Sequence, residues 1–164
     1  MKQNITKMVL LVAMLVMTIV AGYAQEPSKV EAKVKEIVKQ YENVKGVECF
    51  EFAKGSGLGI VKMAFTEQFG KDFMKGVRSI TIINYTDASN EICQALHQEL
   101  DAFGSLLEEI KPKEDKEPSN QGYSRSFASI SNGNTMSDFV IAIEDNESKM
   151  MMYMAGEIKV EGQD

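Results

Sequence analysis

A thiol and an imidazole one helical turn apart are the first groups in this chain whose types and spacing suit chemistry. Cys93 and the only histidine, His97, stand at i and i+4, so both project from neighbouring points of one helix. A thiol nucleophile activated by His97 would need both groups poised in a cleft with an oxyanion hole. A closed zinc site would need four donors, and no Cys-x-x-Cys or His-Glu-x-x-His arrangement supplies the other two. The neighbours favour packing instead: Cys93 lies between Ile92 and Leu96 on an apolar stripe, with His97 at its edge.

Methionine offers a second chemistry. On a strand, Met150, Met152 and Met154 share one side, and three thioethers in line could take copper(I), a soft ion. No histidine or cysteine is close to them in sequence, so they are read first as adaptable core filler. Cys49 and Cys93 would close a long disulfide loop in an oxidising compartment. Strand alternation puts Phe50 and Phe52 on one side and Cys49 on the other, so pairing requires Val47 and Cys49 to face the helices.

The run Gly55-Ser56-Gly57-Leu58-Gly59 falls between a strand and a helix, where phosphate loops occur. Its spacing fails: Ile60 stands where a dinucleotide fingerprint wants glycine or alanine, and no Gly-Lys-Ser or Gly-Lys-Thr follows. The glycines are read as a tight turn. Glu108 and Glu109 are adjacent on a strand and point to opposite faces, a poor acid and base pair. No Gly-x-Ser-x-Gly elbow surrounds a serine. The chain is therefore read as non-enzymatic, with no catalytic residue and no cofactor assigned; a hydrolase is the least supported alternative.

The elements that must position these groups follow from hydrophobic period. Val30, Val34, Ile37, Val38 and Tyr41 recur at helical steps and stop before Gly46. Residues 47–52 read as a strand. Leu58, Val61, Phe65, Phe69 and Phe73 predict a second helix, bent at Gly70 and closed by Gly76. Residues 78–85, with Ile80, Thr81, Ile82 and Ile83 in succession, predict a central strand buried on both sides. Asp87 or Ser89 can cap a third helix carried by Ile92, Cys93, Leu96, Leu100 and Phe103 and ending near Gly104. Residues 106–110 read as a strand, and 111–121 as a solvated loop. Three more strands, 123–130, 136–143 and 149–160, predict an antiparallel meander. The expected fold class is α+β: a mixed, mainly antiparallel sheet with about three helices packed on one face.

The N-terminus bears the three-part pattern of a cleaved secretory signal: Lys2 and Lys7, an apolar run over 8–21, then small residues at positions 22 and 24. The cut is placed between Ala24 and Gln25, giving a signal over 1–24 and one domain over 25–164. The run is short for a membrane span, and no other apolar segment is long enough to be one. Losing both lysines takes the formal charge from −6 to −8, which disfavours nucleic acid as a partner. A periplasmic or secreted location follows.

The order of elements, the Gly104-Ser105-Leu106-Leu107 entry to the third strand, and the segments Phe139-Val140-Ile141-Ala142 and Met154-Ala155-Gly156-Glu157-Ile158 resemble the Bacteroidetes envelope family catalogued as domain of unknown function 4252. The resemblance covers nearly the whole mature chain, rests on strand patterns and a glycine, and transfers no catalytic residue. It implies an envelope setting, although this chain has no lipid-bearing cysteine after its apolar run. It also implies a link to envelope sensing. Expected partners are an envelope protein or a second copy of the chain, docked on an open sheet face where Ser124, Ser126, Ser129 and Ser131 mix with Tyr123, Arg125 and Phe127.

Overall fold

In the computed structural model, the described residues are 28–53, 57–110, 123–131, 135–145 and 147–159. The expected signal, its Ala24/Gln25 cut, and the loop over 111–121 lie outside them. The chain order is α1 (Lys29–Tyr41), β1 (Glu48–Phe52), α2 (Leu58–Phe69), α3 (Lys71–Gly76), β2 (Val77–Asn84), α4 (Asn90–Phe103), β3 (Glu108–Ile110), β4 (Tyr123–Ser131), β5 (Thr135–Glu144) and β6 (Lys149–Lys159).

Local chemistry starts and stops these elements where the sequence says it should. Ser28 and Ser89 cap α1 and α4, their hydroxyls accepting from the backbone N–H of Glu31 and Ile92, which satisfies donors the first turn leaves open. Gly70, at φ 87°, separates α2 from α3 because a left-handed residue cannot continue a helix. The strand expected from residue 106 begins at Glu108: the Leu106 and Leu107 N–H groups bond to the Phe103 carbonyl and prolong the helical turn.

The six strands form one sheet in the order β1-β2-β6-β5-β4-β3, every neighbouring pair antiparallel. The α+β class is as expected, and β4, β5 and β6 form the expected meander. β2 is an interior strand between β1 and β6, while β6 and β5 occupy the middle. The helices are distributed differently from the one-sided expectation. α1 and α4 lay Val34, Ile37, Leu96, Leu100 and Phe103 against Ile83, Tyr153 and Val140 on a first face. α2 and α3 lay Leu58, Phe65, Phe73 and Met74 against Ile80, Phe139 and Met154 on the second. Alternation explains the need for both: β2, β5 and β6 carry apolar side chains on each side, and each side requires cover.

The two coverings meet the sheet at one tight joint. A Cβ on Gly76 would lie 2.1 Å from the Glu157 carbonyl oxygen, and one on Gly156 would lie 2.1 Å from that of Gly76. Only paired glycines let the end of α3 pass this close to β6. Register breaks at Val77/Ser79 on β2 and Met136/Asp138 on β5, both against β6 beside Gly156. Ser79 and Asp138 pair with Ala155 on the first face, in step with Ile83 and Val140, and the irregularities place Val77 and Met136 on the second face.

Candidate functional site

Two regions gather groups able to bind. The first is the outer side of α2 with the adjoining part of the second face. Cross-strand register assembles a row Phe52–Ile80–Met154–Phe139, which lies under α2 and α3, and beside it a row Phe50–Ile82–Met152–Ile141 that ends at Ser126 and Ile110. Phe50 is 43% exposed, and Ile82, Ile141 and Ile110 are half-buried. α2 itself is apolar on both sides: its inner residues pack, yet Ile60 and Met63 are 74% and 72% exposed. A helix apolar all round is ordinarily buried all round.

The second region is a groove along the N-terminal half of α1. Ser28, Glu31, Arg78, Ser79, Asp138 and Tyr153 line a cavity of about 440 Å³. An adjoining one of about 350 Å³ shares Glu31, Ser79 and Tyr153 and adds Val34, Lys35, Phe52 and Ile80. Asp138, 7% exposed, is the focus of this groove. Its Oδ1 accepts from the Ser28 hydroxyl at 2.9 Å and the Tyr153 hydroxyl at 2.7 Å, and its Oδ2 from the Ser137 hydroxyl at 3.0 Å. Burial, the bond to Asp138 and the charge of Asp138 push the Tyr153 phenol well above its ordinary range, so it serves as a fixed donor. Lys35 pairs with Glu31 at 2.7 Å across the rim.

The residues singled out in the sequence fall elsewhere. Met150, Met152 and Met154 do share the second face, but Met152 and Met154 are enclosed in the second-face core. Their sulfurs pack in the core and do not converge on solvent. Among the described residues no group of three or more His, Cys, Asp and Glu side chains is placed to hold a metal.

Cys49 and Cys93 are free thiols, so the pairing considered above is not formed. Val47 and Cys49 do face the helices, and Cys93 Sγ contacts Lys149 Nζ at 3.6 Å and the Ala88 carbonyl. Burial, followed by the charges of Glu42 and Glu51, raises the Cys49 thiol above its ordinary value.

His97 Nε2 meets Glu144 Oε1, and the fully buried Tyr85 donates its hydroxyl to the same oxygen at 2.8 Å. A thiol triad would need Cys93 in this set, yet its sulfur contacts Lys149 and the Ala88 carbonyl. Neither of the two cavities beside α1 is lined by Cys93, His97 or Glu144.

The serine-rich strand is also placed differently. Phe127 is buried in the first-face core, with the Arg125 guanidinium 4.9 Å above its ring and paired to Asp101 and Glu109. The Ala128/Ile130 irregularity exposes Ile130 instead. The Tyr123 and Ser131 side chains lie outside the described residues.

Comparison with known proteins finds no matching family model, no matching curated protein and no matching solved structure. Among the described residues no helix is long and apolar enough to cross a membrane.

Proposed function

We propose that the chain is an exported, non-enzymatic binding module of the bacterial envelope, of the kind the family resemblance implies, and that it docks a protein partner on α2 and the neighbouring open stripe. The observation that carries this reading is the exposure of Ile60 and Met63 on a helix whose other side is already packed. Apolar side chains placed together on a surface lose unfavourable hydration when a partner covers them. The partner's chemistry is read from charge. The chain is acidic overall, and Glu48 and Glu108 stand toward opposite ends of the stripe. The complement is an amphipathic segment with an apolar side and basic flanks. A second copy would bring like charge to like and is the weaker occupant.

Support for the other chemistries is thinner. Enclosure of Met152 and Met154 counts against copper binding, and a buried Cys93 without His97 as a sulfur contact counts against a thiol hydrolase.

The test is site-specific photocrosslinking in the host envelope, with the reactive residue at position 60 or 63 and, as control, at Lys39 on α1. The expected result is one discrete heteromeric product from positions 60 and 63, mapped to an apolar segment flanked by Lys or Arg. A product shared with the Lys39 control, a homodimer, or no discrete product overturns the reading.

A further inference from the structure

We infer that Met63 is a modification site: hydrogen peroxide converts its thioether to the sulfoxide, and the sulfoxide keeps the partner off α2. The inference rests on the docking reading proposed above and names a regulation of that same surface.

The methionines divide by access. Met74, Met136, Met151, Met152 and Met154 are buried, and Met150 is half-buried against the second-face core. Met63 is 72% exposed and stands on α2 one turn from the exposed Ile60. Peroxide must reach the sulfur lone pair, and a close-packed interior admits it only when the fold opens. Met63 is therefore the first of the described methionines to react. In the step the peroxide O–O bond breaks and an S–O bond forms at Met63. The sulfur loses an electron pair, and the second peroxide oxygen leaves, reduced, as water.

The product changes what the surface can dock. A thioether is a weak acceptor, whereas the sulfoxide makes the side chain polar and spoils an apolar interface. Its oxygen is hydrogen-bonded while water reaches it and loses those bonds under an apolar segment unless a donor stands near. The described polar neighbours along α2 are committed elsewhere or wrong in sign. Lys62 turns its ammonium to the carbonyls of Lys75 and Val77 at 3.2 and 2.9 Å. The Thr66 hydroxyl donates to the Lys62 carbonyl at 2.7 Å. Glu67, one turn beyond Met63, brings a carboxylate, which repels the sulfoxide oxygen. The oxidised surface is therefore more stable in water than under the partner. Because Met63 is exposed and packs into neither core cluster, the fold itself is left standing.

The experiment begins with purified protein carrying the photoreactive residue at position 60. It is partially oxidised alone with hydrogen peroxide, freed of peroxide, and mixed in excess with host envelope before irradiation, so that both forms compete for the partner. Peptide mapping should find sulfoxide at Met63 ahead of the other described methionines. In the crosslinked product that sulfoxide should be depleted at least about tenfold relative to the uncrosslinked protein, as burial of an unsatisfied acceptor predicts. The urea midpoints of oxidised and reduced protein should agree. Equal sulfoxide in both fractions, another described methionine reacting first, or a large fall in the midpoint on oxidation overturns the inference and leaves the docking reading standing. Loss of the discrete product even from unoxidised protein overturns the docking reading and this inference with it.

Discussion

On the first face of the sheet two amphipathic helices lie side by side, and what they bury matches what they have: Val30, Val34, Ile37 and Tyr41 from α1, and Cys93, Leu96, Leu100 and Phe103 from α4, are all enclosed. On the second face α2 and α3 are joined at a glycine, cover one row of the sheet and leave part of the next row and Ile60 and Met63 in solvent. The same strands floor both faces. The difference therefore lies in the helices: a polar outer side ends a structure, whereas an apolar outer side leaves surface for another molecule to cover.

The largest effect should come from the closed face. Phe103→Ala, at a fully buried position, should cost about 4 kcal/mol by the loss expected for large core truncations, read as a shift in the urea midpoint. A cost under about 1 kcal/mol would mean that the first face is as loosely covered as the second. Next comes the joint between the coverings: Gly156→Ala should cost about 3 kcal/mol, since its Cβ would strike the Gly76 carbonyl and the backbone there has no side chain to move aside.

The helices, the interior strand and the late meander were legible in the sequence because each rests on a local period. Gly70 was legible as a bend within one helix, whereas its backbone ends α2 and α3 starts anew at Lys71. Which face each helix covers was not legible. α2 is apolar on both sides, so its pattern names no inner face, and the two irregularities beside β6 reset the alternation on which any strand assignment depends. The Asp138 groove was missed because Ser28, Asp138 and Tyr153 are brought together only by folding, Ser28 and Asp138 being 110 residues apart. The one available signal was Ser28 ahead of the first helix, where a capping hydroxyl is expected; nothing in the sequence says that it also donates to a distant carboxylate.

A pH series sharpens the comparison from the first face. The Tyr153 phenol is held above its ordinary value of 10.0, so at alkaline pH the unfolded chain releases a proton that the folded chain keeps. Stability is then full below pH 10 and falls as pH rises past it. Cys49, raised from 9.0, starts the decline earlier by the same sign. Urea midpoints measured from pH 7 to 11 should drop less steeply in Tyr153→Phe than in the parent. An identical slope would show that Tyr153 is ionised as readily in the folded chain as in the unfolded one. The smallest change in stability should come from the open face: Ile60→Ser should alter the urea midpoint by no more than about 0.5 kcal/mol equivalent while removing the partner crosslink formed from position 63. A large loss of stability would mean that Ile60 is part of the core after all.

The close passage of Gly76 and Gly156 ties the two sides of the molecule mechanically. β6 carries Met152 and Met154 upward into one covering and Tyr153 and Ala155 downward into the groove of the other, and the α3 corner rests directly on its backbone. The strand is hydrogen-bonded on both edges, to β2 and to β5, which opposes its sliding. The corner acts as a rivet: the covering of one face is fastened at α3 to the strand that floors the other.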